Sequence, residues 1–487
     1  MKFISKLIIG GGILLLPWNT YAQFAKGLSY RAETGISFSG GKHTPFWLAA
    51  NKQGLSSIEK NNGYLRAGIF REMEEDKRFS YAFGVDLAVA YNFTSTFIVQ
   101  QLYADLKYRC LGLSIGSKER YSEFNNPLLS SGGLTFSGNA RPIPQVRIGI
   151  PEYTVIPGTK GWLAFKGHIA YGMFTDDGWQ KDFVAPGNKY TEHVLYHSKD
   201  LYVKVGNREK FPLIFEGGLE MAAQFGGNAF IGNGKIDMPN GIKDFFKVFI
   251  PSGGGSDTPM GEQLNVYGNH LGSWNFSFTW YAPQGWMVRP YYEHYFEDHS
   301  QMFGEYGWKD CLAGIEITFP ENPIVSSFVY EYISTKDQTG PVYWDHTPEI
   351  PEQVSGADNY YNHSIYTGWQ HWGMGIGNPL VMSPVYNEDG DISFKSSRMQ
   401  GHHLGIMGNP ASDLQYRILL SFTRNWGTYG LPFYEIKKNG NALAELKYTP
   451  HRLKGWDFTA SLGLDRGAML GKSVGGMFTI RKTGWIR

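Results

Sequence analysis

The densest run of groups able to ligate a metal or trade protons is "YEHYFEDHS", which gathers Glu293, His294, Glu297, Asp298 and His299. It falls one residue out of step with the H-x-x-E-H zinc motif, which works because a helix sets its ligands on one face. The preceding "WMVRPYYEHYF" alternates like a strand, and a strand splays neighbouring groups onto opposite faces. The glycine runs carry no better chemistry. "GNGKIDMPNG" places Ile236 after Lys235 where a phosphate loop needs Ser or Thr, and "PSGGGSDTPMG" has no lysine. No G-x-S-x-G offers a nucleophile elbow. The pair Asp176–Asp177 has the residue types of glycoside hydrolysis, but adjacent acids are too common to assign it. The sequence therefore yields no catalytic residue, no metal ligand and no cofactor.

A different chemistry is written in two aromatic stretches. "GPVYWDHTPEI" supplies Tyr343, Trp344, Asp345 and His346. "DNYYNHSIYTGWQHWGMGIGNPL", residues 358–380, supplies Tyr360, Tyr361, Asn362, His363, Trp369, Gln370, His371 and Trp372. Sugar rings present apolar C–H faces and equatorial hydroxyls, which flat rings beside amides, acids and imidazoles are suited to meet. These are candidate carbohydrate-binding residues. The competing reading is that the same rings fill the interior of a folded loop, with their polar tips satisfied by backbone.

The elements that must position these loops are strands of period two. In "SYRAETGISFS", Tyr30, Ala32, Thr34, Ile36 and Phe38 share one face, and Arg31, Glu33, Ser37 and Ser39 the other. In "FSYAFGVDLAVAY", Phe79, Tyr81, Phe83, Val85, Leu87, Val89 and Tyr91 alternate with Ser80, Ala82, Gly84, Asp86, Ala88 and Ala90. Rings stand at both ends of that apolar face and aliphatic side chains in the middle. Soluble strands average about five or six residues, whereas a tilted strand crossing a bilayer needs about 9–11, with aromatic girdles at both interfaces. Roughly sixteen to nineteen such segments lie between Ser29 and Arg481. Their polar faces suit a wet lumen. The fold expected is all-β, a transmembrane antiparallel β-barrel, since lipid cannot satisfy an open sheet edge. The last strand is expected to stop near Arg481.

Irregular stretches near 119–160, 175–198, 226–263 and 335–401 interrupt the alternation and are expected to fold over or into the barrel mouth. One of them, "MPNGIKDFFKVFIP", spaces Ile242, Phe245, Phe246 and Phe249 as the apolar face of a short helix. It is read either as covering its own loop core or as a plug helix.

Bulk composition agrees with this class. Aromatics make up 16% and charged residues 18%, the latter below the roughly 25% of ordinary globular domains. A net charge of +1 supplies no basic field for nucleic acid, and a mean hydropathy of −0.31 excludes a helical membrane bundle. At the N-terminus, Lys2 and Lys6 precede an apolar run from Leu7 to Pro17 and a Thr20-Tyr21-Ala22 site. Residues 1–22 are read as a signal peptide cleaved after Ala22, leaving 23–487 as one domain. The only cysteines, Cys110 and Cys311, each sit in an apolar alternation and are not expected to pair.

The blocks "HTPFWLAANKQGLSS", "LLSSGGLTFSGNARPIPQVRIGIPEY", "YHSKDLYVKVGNRE", "YWDHTPEI" and "NHSIYTGWQHWGMGIGNPL" together resemble the capsule assembly protein Wzi family. The resemblance runs from about residue 30 to 480. It implies an outer-membrane barrel of about 18 strands acting as a surface lectin, without catalysis. Its partners would be capsular polysaccharide, outer-membrane lipid and the capsule export machinery. Well-known members also carry a small N-terminal helical bundle, for which the few residues between Ala22 and Ser29 leave no room. From the residues alone, a porin or transport barrel is the main alternative, and a polysaccharide-acting enzyme a weaker one.

Overall fold

The computed structural model describes residues 27–486 except 123, 260–265, 298, 304–307, 323 and 339–357. Residues 1–22 and the quartet Tyr343, Trp344, Asp345 and His346 lie outside the described residues. Eighteen strands form one antiparallel sheet. They are β1 (Leu28–Gly41), β2 (Asn61–Arg71), β3 (Phe79–Tyr91), β4 (Phe97–Tyr108), β5 (Leu111–Ser117) and β6 (Gln145–Val155). There follow β7 (Leu163–Met173), β8 (Leu195–Val205), β9 (Leu213–Phe225), β10 (Asn269–Tyr281), β11 (Met287–Phe296) and β12 (Cys311–Thr318). The last six are β13 (Ser327–Ser334), β14 (Arg398–Ala411), β15 (Leu414–Gly427), β16 (Pro432–Tyr448), β17 (Trp456–Gly467) and β18 (Gly471–Trp485). Each pairs with its neighbour in sequence, and β1 pairs with both β2 and β18, so the sheet closes into a barrel. β18 continues to Trp485, opposite Ser29, and does not stop at Arg481. Backbone pairing with β1 extends it there although the side-chain alternation has weakened.

The alternation assigns the two faces of the wall. Val85, Leu87, Val89 and Tyr91 point outward and are exposed, while Ala82, Asp86, Ala88 and Ala90 point into the bore and are buried. The outward face is a lipid-facing belt with rings at its rims, such as Phe79 and Tyr91 on β3 and Phe97 and Tyr108 on β4. The inward face is polar and internally paired. Arg66 bridges Asp86 and Glu119 at 2.6 and 2.5 Å, Arg417 meets Glu445 at 2.8 Å, and Arg289 meets Glu316 at 2.5 Å. Both cysteines are free; Cys110 lies in the turn after β4 and Cys311 opens β12 at the opposite end of the barrel.

The two ends of the barrel differ. The end holding Leu28 and Trp485 has short turns such as 109–110 and 412–413, whereas the other carries 42–60, 118–144, 174–194, 226–268, 297–310 and 335–397. The stretch 119–160 contains the whole of β6, whose register with β7 is interrupted between Ile150 and Thr154 around Pro151. That interruption breaks the period-two pattern there.

The helix over Ile242–Phe249, α3 after α1 (Phe46–Ala49) and α2 (Asp177–Phe183), forms where the apolar spacing places it. It is not a plug helix. The Tyr171 hydroxyl donates to the Phe245 carbonyl at 2.9 Å, the Phe225 and Phe245 rings lie 5.0 Å apart, and the Lys199 ammonium donates to the Phe249 carbonyl. Tyr171, Lys199 and Phe225 lie on the outward face of β7–β9, in phase with Ile169 and Leu201. The helix therefore lies against the outside of the wall at the loop-bearing rim. Its apolar stripe is wide enough to be used twice. Phe245 and Val248 pack on the barrel, while Ile242 and Phe246 stay 81% and 67% exposed.

Candidate functional site

Loop 42–60 enters the bore from the loop-bearing end, its Phe46 amide donating to Asp465 on β17 at 2.8 Å. Two further segments enter from the same end, and carboxylates on the inward face of β11–β13 hold the first of them. Glu331 on β13 accepts from Ser130 Oγ at 2.5 Å, Ser131 N at 2.8 Å, Ser131 Oγ at 2.5 Å and the Tyr291 hydroxyl at 2.6 Å. Glu293 on β11 accepts from the Leu134 and Thr135 amides at 2.8–3.0 Å, and Glu316 on β12 from Asn126 Nδ2 at 2.8 Å. Gly405 on β14 lets the chain approach, since a Cβ there would lie 2.3 Å from the Leu129 carbonyl oxygen.

The second segment, 358–397, packs on the first. A Cβ on Gly377 would lie 2.1 Å from the Leu134 oxygen, the Tyr361 hydroxyl donates to that same carbonyl at 2.8 Å, and Asn378 Nδ2 donates to Ser131 Oγ at 2.9 Å. Leu271, Leu312, Val329, Leu419 and Leu443 from well-separated walls join Leu129, Leu134, Tyr361 and Trp369 in one buried cluster spanning the bore.

Of the "YEHYFEDHS" residues, Glu293, His294 and Glu297 belong to this framework, while Asp298 lies outside the described residues. Glu293 faces inward, and His294, on the other side of the strand, has its ring nitrogens 3.3 and 3.2 Å from the Asp310 and Gln301 carbonyl oxygens. Glu297 accepts from the Tyr295 hydroxyl at 2.5 Å and the Tyr361 amide at 2.6 Å. Asp310 accepts from the Asp337 and Gln338 amides at 2.9 and 2.6 Å and from the Tyr360 hydroxyl at 3.0 Å. Burial pushes its carboxyl up to about 6.

Several candidate sugar-binding rings are consequently core. Tyr360, Tyr361, Trp369 and His371 are all at most 1% exposed, and none presents a face to a ligand at the mouth. Their residue types suit a sugar platform, but the same types fill the interior of a chain packed inside a barrel. Asn362 is a staple: its amide donates to Asn359 Oδ1 and the Phe394 carbonyl and accepts from the Phe394 amide. His363 is half-buried, with the Lys189 ammonium donating to its carbonyl and burial holding Lys189 down to about 8.

Among the described candidate rings Trp372, like His363, stays partly open, and three other loops converge on it. Arg141 of the 118–144 segment stacks its guanidinium 4.1 Å from the indole centroid and reaches Thr94 Oγ1, in the β3–β4 turn, at 3.3 Å. Asp176, fully buried in the 174–194 loop, accepts from the Trp372 amide at 3.2 Å and from Gln370 Nε2 at 2.9 Å. Beneath them the neutral His371 accepts a hydrogen bond from the Thr175 amide on Nε2 at 3.2 Å and donates one from Nδ1 to the Arg141 carbonyl at 2.8 Å. Burial lowers His371 below the ordinary imidazole value and pulls Arg141 down to about 10, the latter opposed by Asp176. The result is a rigid, half-open indole at the mouth, one face backed by a guanidinium that is itself buried. Arg141, Thr94 and Thr175 escape sequence reasoning, which isolates only Asp176, and that as half of an acid pair.

Comparison with protein-family models and with curated proteins finds no match. Among solved structures, Wzi, an outer membrane protein involved in group 1 capsule assembly in Escherichia coli and a carbohydrate-binding β-barrel, matches with a TM-score of 0.59. The barrel shares the fold of Wzi. The likeness covers 95% of this chain and 86% of that one at 14% sequence identity. Pseudomonas aeruginosa OccK5 (TM-score 0.45, 9% identity, 94% and 97% coverage) and Acinetobacter baumannii OccAB2 (0.46, 9%, 95% and 98%) also match. With its apolar outer belt and unequal ends, the chain is an outer-membrane β-barrel.

Proposed function

We propose that the protein is a non-enzymatic outer-membrane glycan-binding protein that holds exported capsular polysaccharide at the cell surface. The observation that carries this reading is Trp372, a half-open indole backed by the buried Arg141, fixed by four loops and set at the mouth of a bore that three of its own segments occupy. Wzi, whose fold it shares, is described as carbohydrate-binding, which supports the same assignment. The acids that could have served catalysis are engaged with backbone amides and hydroxyls, as Glu293 and Glu331 illustrate. A repetitive polymer meets many copies of the protein, so weak individual contacts add up through effective concentration. Delivery to the site implies the capsule export machinery as a working partner.

The test is the ratio of cell-attached to shed polysaccharide in a strain lacking the gene. A shift toward shed polymer, restored by the wild-type gene, is expected; unchanged attachment would count against the proposal. Large, stable single-channel conductance of the purified protein in planar bilayers would favour a transport barrel instead.

A further inference from the structure

On the outer wall, three adjacent strands change character at the loop-bearing end. The outward face of β15 runs Ile418, Leu420, Phe422 and then Arg424; that of β17 runs Leu462, Leu464 and then Arg466. Between them β16 presents Leu446, Ala444, Ala442 and Gly440 and then Lys438. Arg424 pairs in register with Lys438, and Gly440 with Arg466, so the three cations converge. Gly440, bearing no side chain, leaves a groove of ≈ 570 Å³ beside the exposed Phe422 ring, and Tyr332, Gln400 and His402 line its other side. Trp426, one outward position beyond Arg424, lies 5.3 Å from its guanidinium and marks the interfacial depth.

These cations differ from those inside the bore. Among the described residues no carboxylate lies within ion-pair distance of Arg424, Lys438 or Arg466, whereas Arg66, Arg289 and Arg417 are all paired. Three exposed, unneutralised cations beside an apolar wall at this depth meet the negative headgroups of the surrounding leaflet. A phosphate satisfies the two guanidiniums and the ammonium; sugar hydroxyls fit the positions left on Gln400, Tyr332 and His402 by the Gln400 Nε2–Tyr332 bond of 3.2 Å and the Tyr330–His402 Nδ1 bond of 2.8 Å; and acyl chains fit Phe422 and the small face of β16.

We propose that this groove is a binding site for a phosphorylated glycolipid of the outer leaflet. The site stands on the barrel's orientation in the membrane and not on what the mouth binds. The protein in nanodiscs would be titrated with lipid A and with the same lipid after phosphatase treatment, and bound lipid read by native mass spectrometry. Arg424→Gln/Lys438→Gln/Arg466→Gln should weaken lipid A binding about 100-fold, from about one factor of five per membrane-facing cation. Arg452→Gln/Lys454→Gln, in the turn at the opposite end, should leave it unchanged. If the triple variant fails to fold by heat-modifiable migration, Arg424→Lys/Arg466→Lys, which keeps the charge, should still bind. Equal binding of the dephosphorylated lipid, equal binding by a folded triple variant, or displacement by soluble anionic polysaccharide would overturn the proposal.

Discussion

Replacing Glu331 tests whether the 118–144 segment is held in the bore by the wall. The carboxylate is fully buried and accepts four hydrogen bonds, three of them from Ser130 and Ser131. In Glu331→Ala the Ser131 amide is left without its acceptor, which costs about 1–3 kcal/mol, and three hydroxyls lose a charged partner worth about 1.5–3 kcal/mol each. Hydroxyls rotate toward one another or toward entering water, and the desolvation cost of the buried charge is recovered, so a net loss of about 3 kcal/mol is reasonable. That raises the opening equilibrium of the segment about 150-fold. Glu331→Gln keeps one oxygen and should cost about 1 kcal/mol, or about fivefold. Hydrogen exchange by mass spectrometry on peptides spanning 126–137 reads both values, with β15–β18 peptides as controls. Unchanged exchange in a folded Glu331→Ala barrel, or a larger effect for Gln than for Ala, would refute the anchoring role.

Over the background of the 14 native tryptophans, Phe246→Trp should add blue-shifted fluorescence quenched by brominated lipids, because that side of α3 faces away from the barrel; quenching by aqueous iodide alone would place that face in water, and quenching by neither would return the helix to the loop interior. Asp310 titrates at about 6 against an ordinary 3.8, so the folded state binds the extra proton between those values and stability falls as pH rises through that window. Across the whole window the difference amounts to about 3 kcal/mol, of which about half falls between pH 5 and pH 7.5, and the protection factors of the 358–362 amides, corrected for the intrinsic pH dependence of exchange, should be higher at pH 5 than at pH 7.5. Asp310→Asn should flatten that difference; a pH profile like that of the wild type would place the titration elsewhere. Single-channel recordings should show the wild-type protein closed and Glu331→Ala flickering open, and identical traces would separate segment docking from pore closure.

The barrel was legible because its cause is local. Lipid outside and water or protein inside force alternation at every strand, as in Phe79–Tyr91, whatever the distant chain does. The helix at 242–249 was legible for the same reason, but its side of the wall was not, since the same stripe serves a plug and a rim. The mouth was harder. Ser131 meets Glu331 across 200 residues and Tyr361 meets Leu134 across 227, and no periodicity encodes such pairings. Tyr360, Tyr361 and Trp369 have the composition of a sugar platform and the positions of a core, because an aromatic ring with a polar tip suits both. The apolar-to-cation switch at Arg424 and Arg466 is written in the alternation and becomes meaningful only once the neighbouring strands are placed in register.

Whether the mouth binds surface polysaccharide through Trp372 is read from purified protein in nanodiscs passed over immobilised capsular polysaccharide from the producing cell. The wild type should bind reversibly, and Trp372→Ala, which leaves Arg141 and Asp176 in place, should bind about tenfold more weakly, a loss of roughly 1.4 kcal/mol. No wild-type binding, or equal binding by a folded Trp372→Ala protein, would contradict the account.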